Sequence, residues 1–279
     1  MVPVSSILFC VITLLICLVL PIVVMIVLSV KNKNQGIAPA WLLGAAGFFV
    51  TQILIRLPIL TALQGQSWFL NFAQNHLFGY AFGLAFTAGL FELAGRFVVA
   101  KLLRKNLTCK RALAAGLGHG GIEAMILVGM TYVNNLIYIV MINSGYFDYL
   151  IAQPAGLGVD IRQLELIRSQ LVSTAPALFL LGGFERILAM VAHTAMSMVV
   201  CYGVAHKKTL PCVLVCLGIH TFIDLTAGIQ LLAGTVLSQT AVYVIIYAIL
   251  IAVAAFSLLL IRELHRRWAE TEVTYDSEK

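Results

Sequence analysis

The chain alternates between long apolar stretches and short polar connections. Each apolar stretch reaches the roughly 20 residues that an α-helix needs to cross a bilayer. Seven such stretches occur, at about 4–30, 40–63, 76–100, 112–142, 174–205, 209–234 and 239–262. This pattern predicts an all-α, polytopic membrane helix bundle with about seven transmembrane helices. We expect a single transmembrane domain over 1–268 and a polar, disordered cytoplasmic tail over 269–279.

Basic residues occupy every second connection. They follow the first, third, fifth and seventh apolar stretches, at Lys31, Lys33, Lys101, Arg104, Lys105, Lys110, Arg111, Lys207, Lys208, Arg262, Arg266 and Arg267. The other connections are neutral or nearly balanced in charge. Because Lys and Arg are enriched in cytoplasmic loops, the N-terminus is predicted to lie outside and the C-terminus in the cytoplasm.

Composition agrees with a membrane protein. The chain is 61% hydrophobic and 11% charged, whereas soluble domains are about 25% charged. The net charge is +6, and most Lys and Arg residues cluster in the short connections, so a nucleic-acid partner is not expected. Most of the six cysteines lie in apolar stretches without a CxxC pair, which indicates buried, reduced thiols.

Ionisable residues nevertheless occur inside the apolar stretches, where each costs roughly 2.5–3.5 kcal/mol to insert. Three helices carry a pair four positions apart and therefore on one face: Glu92 with Arg96, His119 with Glu123, and His220 with Asp224. A fourth carries His193, seven positions after Arg186. Counting about 1.5 Å per residue from the basic connections places these groups roughly 12–24 Å from the cytoplasmic edge. Acids and imidazoles from four helices thus reach a similar depth.

Imidazoles with carboxylates can hold zinc, and a free carboxylate can then activate water. Each pair also has a simpler interpretation. Glu92 with Arg96 can be a buried ion pair, and the other two pairs can be hydrogen-bonded structural groups. Glu185 and Arg186 are candidates for ordering their helix or for substrate binding. Arg56, in the second stretch, is assigned no role.

Four runs resemble the YhfC family of intramembrane metalloproteases, which is similar to the PrsW proteases and to the CAAX-processing and bacteriocin-protecting (CPBP or Abi) membrane proteases. The resemblance covers about 76–234. The runs are FELAGR from Phe91, GLGHGGIEA from Gly116, FERILAMVAH from Phe184 and HTFID from His220. The glycine-rich run is the most specific of them.

The resemblance implies roles for the polar residues. In these relatives an acidic EExxK or EExxxR motif supplies the base, and a mid-helix histidine and a final HxxxN or HxxxD complete the site. Here Glu92 and Arg96 match the acidic motif, Glu123 matches a glutamate in the glycine-rich motif, His193 matches the mid-helix histidine, and His220 and Asp224 match the final pair. Phe91 stands where relatives often carry a first glutamate, so Glu123 is an alternative base. His119 is a possible added ligand.

The leading hypothesis is a metal-dependent endopeptidase that hydrolyses a membrane-associated protein or peptide near the cytoplasmic leaflet. Zn²⁺ is the expected cofactor, with a metal-free glutamate mechanism as the alternative. The expected metal ligands are His193, His220, Asp224 and His119, and the expected catalytic residues are Glu92, Glu123 and Arg96. The partners are the bilayer and the substrate, and the expected location is a bacterial plasma membrane. The alternatives are a proton- or ion-coupled transporter and a non-catalytic immunity or scaffold protein on a protease-like fold.

Overall fold

The computed structural model describes residues 1–152, 161–233 and 236–277. This part of the chain is helical throughout apart from short turns, and it contains no β-strand. The helices are α1 Val4–Lys31, α2 Ile37–Gln64, α3 Ser67–Asn75, α4 Leu77–Asn106, α5 Cys109–Asn143, α6 Tyr146–Ala152, α7 Ile161–Ser173, α8 Pro176–Ala205, α9 Thr209–Ala233 and α10 Gln239–Ser277. Among the described residues, seven of these helices are long and apolar enough to cross a membrane: α1, α2, α4, α5, α8, α9 and α10. The predicted all-α fold with seven spans is confirmed.

The ends of the spans differ little from the predicted ones, and the main departure is at the C-terminus. The predicted end of the sixth span, at 234, lies outside the described residues. The predicted disorder over 269–279 is wrong as far as Ser277, because α10 remains helical to that point. Ion pairs three and four positions apart, such as Arg266 with Glu263 and Glu270, favour this extension. The orientation of the termini and the cytoplasmic tail stay predictions.

The chain forms two compact units, each made from two stretches, and the single domain expected over 1–268 stays a prediction. The first unit comprises Met1–Ile22 and Ala124–Ile187. Its buried apolar side chains include Cys10, Tyr132, Ile139, Phe147 and Phe179. The carbonyl oxygen of Phe179 accepts hydrogen bonds from the hydroxyls of Thr13 at 2.8 Å and Tyr132 at 2.7 Å. These bonds tie α8 to α1 and α5 within this unit.

The second unit comprises Val23–Glu123 and Leu188–Lys279. Its buried apolar core includes Ala100, Ala112, Met196, Val200 and Trp268. The six cysteines of the chain are free thiols, and all but the half-buried Cys212 are buried. This agrees with their predicted role as small apolar residues.

Two glycines set the distance between α2 and α5 in the second unit. A Cβ atom on Gly44 would lie 1.9 Å from the carbonyl oxygen of Ala115, and one on Gly118 would lie 1.9 Å from that of Trp41. Both neighbours are backbone atoms, so the two helices touch main chain to main chain. Small residues permit such close approach in membranes, where apolar burial does not drive helices together. This contact holds the residue after Gly118, which is His119, inside the unit.

Candidate metal centre

Glu92 lies at the centre of a buried polar cluster in the second unit. Its side chain extends from α4, and the residue is only 3% exposed. The Oε2 atom lies 3.0 Å from Nε2 of His119, 2.7 Å from Nε2 of His220 and 3.0 Å from Nη2 of Arg96. Two other helices, α5 and α9, therefore direct an imidazole nitrogen at one carboxylate oxygen, and Arg96, one turn further along α4, directs its guanidinium at the same oxygen.

Arg96 also fixes the ring of His193. Its Nη2 lies 2.6 Å from His193 Nδ1. Because a guanidinium group only donates hydrogen bonds, this Nδ1 must be the acceptor. The single proton of a neutral ring is then on Nε2, which lies 2.9 Å from Oε2 of Glu123. His193 thus connects the guanidinium of Arg96 to the second buried carboxylate.

His220 lies between two carboxylates. Its Nε2 faces Glu92, and its Nδ1 lies 3.4 Å from Oδ2 of Asp224, one helical turn further along α9. A histidine that donates its Nδ1 proton to a carboxylate presents a lone pair on Nε2, which is the usual arrangement of a histidine that binds metal. A lone pair facing a carboxylate oxygen at 2.7 Å requires a proton or a cation between the two atoms.

The cluster has the composition of a metal site. Glu92, His119, Glu123 and His193 each offer one ligand atom, and these atoms all lie within 4.8 Å of one another. All four residues are buried. With neutral imidazoles, Glu92, Glu123 and Arg96 together carry a net charge of −1 (two acids, one base), which favours a bound cation. Nitrogen and carboxylate oxygen are ligands that Zn²⁺ accepts, so these residues fit such an ion.

Packing holds the imidazole rings in place. The His119 ring stacks on that of His193 at a centroid distance of 5.5 Å, and Phe48 meets His119 edge-on at 5.3 Å. The His193 and His220 rings also meet edge-on, at 5.4 Å. Metal and catalytic sites depend on side chains whose rotamers are fixed by their surroundings, and these rings meet that requirement.

Comparisons with known proteins show the family of the chain. The sequence profile of the YhfC intramembrane metalloprotease family matches residues 16–260. The chain belongs to the YhfC family. It is also 30% identical over 182 residues to an uncharacterized membrane protein YhfC of Bacillus subtilis (strain 168), covering 64% of this chain and 69% of that relative. No solved structure matches the chain.

Membership of the YhfC family confirms the expected relationship, while the similarity to PrsW and CPBP proteases remains a resemblance. The structure brings together the predicted residues of four helices: Glu92, Arg96, His119, Glu123, His193, His220 and Asp224. Glu185 and Arg186 belong to the first unit, where they form an ion pair with each other. The roles of all these residues stay predictions.

Sequence reasoning missed Gln52. This residue lies on α2, is 6% exposed, and donates from Nε2 to Oε1 of Glu92 at 2.6 Å. Its amide is neutral, so Gln52 does not stand out among the ionisable residues of the apolar stretches. A signal was present in the sequence, since Gln52 and Arg56 are four positions apart in an otherwise apolar stretch and therefore share a helix face.

Proposed function

We propose that this chain is an intramembrane metal-dependent endopeptidase that hydrolyses a membrane-associated protein or peptide. The observation that supports it is the convergence of two imidazoles and a guanidinium on one buried carboxylate oxygen, with a second buried carboxylate within 4.8 Å. A structural helix bundle would not bury so many ionisable groups at membrane depth, given their insertion cost. Family membership favours the same function.

The hydrogen bonds favour particular ligands. The atoms that would hold the metal are Oε2 of Glu92 and the Nε2 atoms of His119 and His220, which lie 3.0 and 2.7 Å from that oxygen. Asp224 then acts on His220 from behind, as an orienting carboxylate. Bound there, Zn²⁺ would supply Lewis-acid polarisation of a peptide carbonyl and activation of water.

Glu123 is the general base in this proposal. Its ligand atom lies within 4.8 Å of those of Glu92 and His119, and its Oε2 lies 2.9 Å from His193 Nε2. A positioned carboxylate can take a proton from the attacking water and pass it to the leaving amine. His193, which sequence reasoning placed among the ligands, instead links this base to Arg96, since its Nδ1 accepts from the guanidinium.

Arg96 also has a proposed role in binding the carbonyl oxygen of the substrate. It neutralises part of the charge of Glu92, and its Nε and Nη1 atoms are buried without a hydrogen-bond partner among the described residues. These N–H groups are therefore able to donate to a peptide carbonyl oxygen. Donors aimed at an oxygen that gains negative charge are among the largest contributors to catalysis.

The test measures metal and turnover separately. Wild-type protein purified in detergent should contain about one zinc per chain, and the double variant His119→Ala with His220→Ala should contain none. His265→Ala is the matched control, because this exposed histidine lies outside the cluster. Glu123→Gln should retain zinc and lose cleavage of a quenched-fluorescent transmembrane peptide.

Two results would contradict the proposal. One is wild-type protein without bound metal and without cleavage of any membrane peptide. The other is full zinc content in the double histidine variant, which would place the metal elsewhere. Cleavage by metal-free wild-type protein would favour the alternative glutamate mechanism and remove zinc from the proposal.

The substrate reaches the site from the bilayer in this proposal, because the cluster residues lie on helices long enough to cross it. The expected location is a bacterial plasma membrane, in line with the bacterial relative. The cytoplasmic half of the bilayer is the expected depth of cleavage, since the basic connections flank the site-bearing spans.

A further inference from the structure

The outer oxygen of the Glu92 carboxylate is held by a helix that contributes no residue to the predicted site. Gln52 donates from Nε2 to Glu92 Oε1 at 2.6 Å. It lies within Phe49–Arg56, a segment of α2 with the wider π-helical winding. Single-turn π-helical segments of this kind are frequent at functional sites. The wider winding changes the directions of the side chains in this segment, and the amide of Gln52 faces α4.

Arg56 determines which way the Gln52 amide faces. Its Nη1 lies 3.4 Å from Gln52 Oε1, and its Nη2 donates to the carbonyl oxygen of Leu84 on α4 at 2.7 Å. A guanidinium group cannot accept a hydrogen bond. The amide oxygen must therefore face Arg56, and the NH₂ group must face Glu92.

These contacts give the two oxygens of Glu92 different surroundings. Oε1 accepts from the neutral amide of Gln52, whereas Oε2 faces the two imidazoles and the guanidinium of Arg96. A carboxylate held through one oxygen presents the other in a fixed direction. Neutral donors also stabilise the ionised acid without adding a positive charge that would oppose a metal ion.

We infer that Gln52 is a positioning residue that fixes Oε2 of Glu92 as a metal ligand, and that Arg56 fixes Gln52. The inference rests on the proposed metal-dependent function. Partners of this kind, one contact beyond the ligands, change metal affinity or activity by about 10–100-fold when they are removed. A purely structural role, in which the amide only joins α2 to α4, predicts lower stability with an unchanged metal site.

The experiment uses full-length protein loaded with Co²⁺, whose visible absorption reports the ligands directly. Gln52→Met keeps the length of the side chain and removes the donor, so Co²⁺ affinity should fall by about 10–100-fold and the visible band should change. Arg56→Met leaves Gln52 in place but frees its amide to turn, so it should give a smaller loss. Gln64→Leu is the control, because it also removes an amide from α2, at an exposed position.

The outcomes separate this inference from the function on which it rests. Wild-type protein that binds no Co²⁺ or Zn²⁺ overturns the proposed function, and the inference with it. Wild-type binding together with wild-type affinity and spectrum in Gln52→Met overturns the inference alone. If Gln52→Met does not fold, Gln52→Asn, which shortens the reach of the amide, is measured in its place. A weakened site with a changed band in folded protein supports the inference.

Discussion

Replacing Gly118 by alanine should weaken the proposed metal site although no proposed ligand changes. Gly118 precedes His119 and lies where α5 meets α2 main chain to main chain. The added Cβ atom would lie 1.9 Å from the carbonyl oxygen of Trp41, 2.7 Å from its carbonyl carbon and 3.0 Å from its Cα. No rotamer change can relieve these contacts, because every atom involved belongs to the backbone. The helices themselves must separate.

The size of the separation follows from the shortest contact. Cβ atoms essentially never approach another atom within 3.0 Å, so the carbonyl must retreat by about 1.1 Å from its 1.9 Å position. Overpacking of this kind costs about 1–3 kcal/mol. Alanine regains about 0.5–1 kcal/mol in a helix relative to glycine, which leaves a net loss. A displacement of about 1 Å at a functional group can reduce activity by about 100-fold, and His119 is the next residue.

The assay compares thermal unfolding and zinc affinity for Gly118→Ala and Gly218→Ala. Gly218 lies two positions before His220, and a Cβ atom there would meet nothing within 4 Å. We expect Gly218→Ala to keep or raise the unfolding temperature and to retain zinc. Gly118→Ala should unfold several degrees lower and bind zinc at least tenfold more weakly. Equal behaviour of the two variants would refute the close approach of α2 and α5.

Three further predictions concern the site and the topology. Asp224→Asn should keep a side-chain oxygen near Nδ1 of His220 but lose the charge, so zinc affinity measured by chelator competition should fall by about 10-fold, and Asp224→Ala should lose more. Arg96→Lys should retain a positive charge but lose the buried Nε–H and Nη1–H groups of the planar guanidinium, so peptide cleavage should fall by at least about 10-fold, and wild-type activity would show that charge alone suffices. Lys33→Cys, in the first connection, should react with an impermeant maleimide only after the membrane is opened, and reaction in intact cells would invert the predicted orientation.

The sequence was sufficient to predict the membrane spans, because the bilayer requires about the same length of each. Apolar stretches such as 76–100 and 112–142 correspond to α4 and α5 with small shifts at their ends. The sequence did not predict the grouping into two units, because the boundaries at Glu123 and Ile187 fall inside apolar helices where hydropathy does not change. Contacts such as that between Gly118 and Trp41 were also hidden, because glycines are common in membrane helices for several reasons.

Helical spacing identified much of the site. The four-residue separations of Glu92 with Arg96 and of His220 with Asp224 correspond to direct contacts of 3.0 and 3.4 Å. What spacing could not provide was the arrangement between helices, including the position of Glu92 as the shared partner. Gln52 was not predicted as a site residue for a related reason. A buried neutral amide can matter as much as a charged group, but the sequence alone does not show which amides are buried.

The departure from the family pattern at Phe91 acquires a physical meaning in the structure. Neighbouring residues on a helix point about 100° apart, so an acid at position 91 would not share the face on which Glu92 meets the imidazoles. The second buried carboxylate comes instead from Glu123 on α5, with its ligand atom inside the same 4.8 Å group. Two acids on separate helices can be held by different partners, Gln52 for one and His193 for the other. Such separation allows one acid to bind metal while the other transfers protons. Two adjacent glutamates on one helix would need a different arrangement to divide these roles.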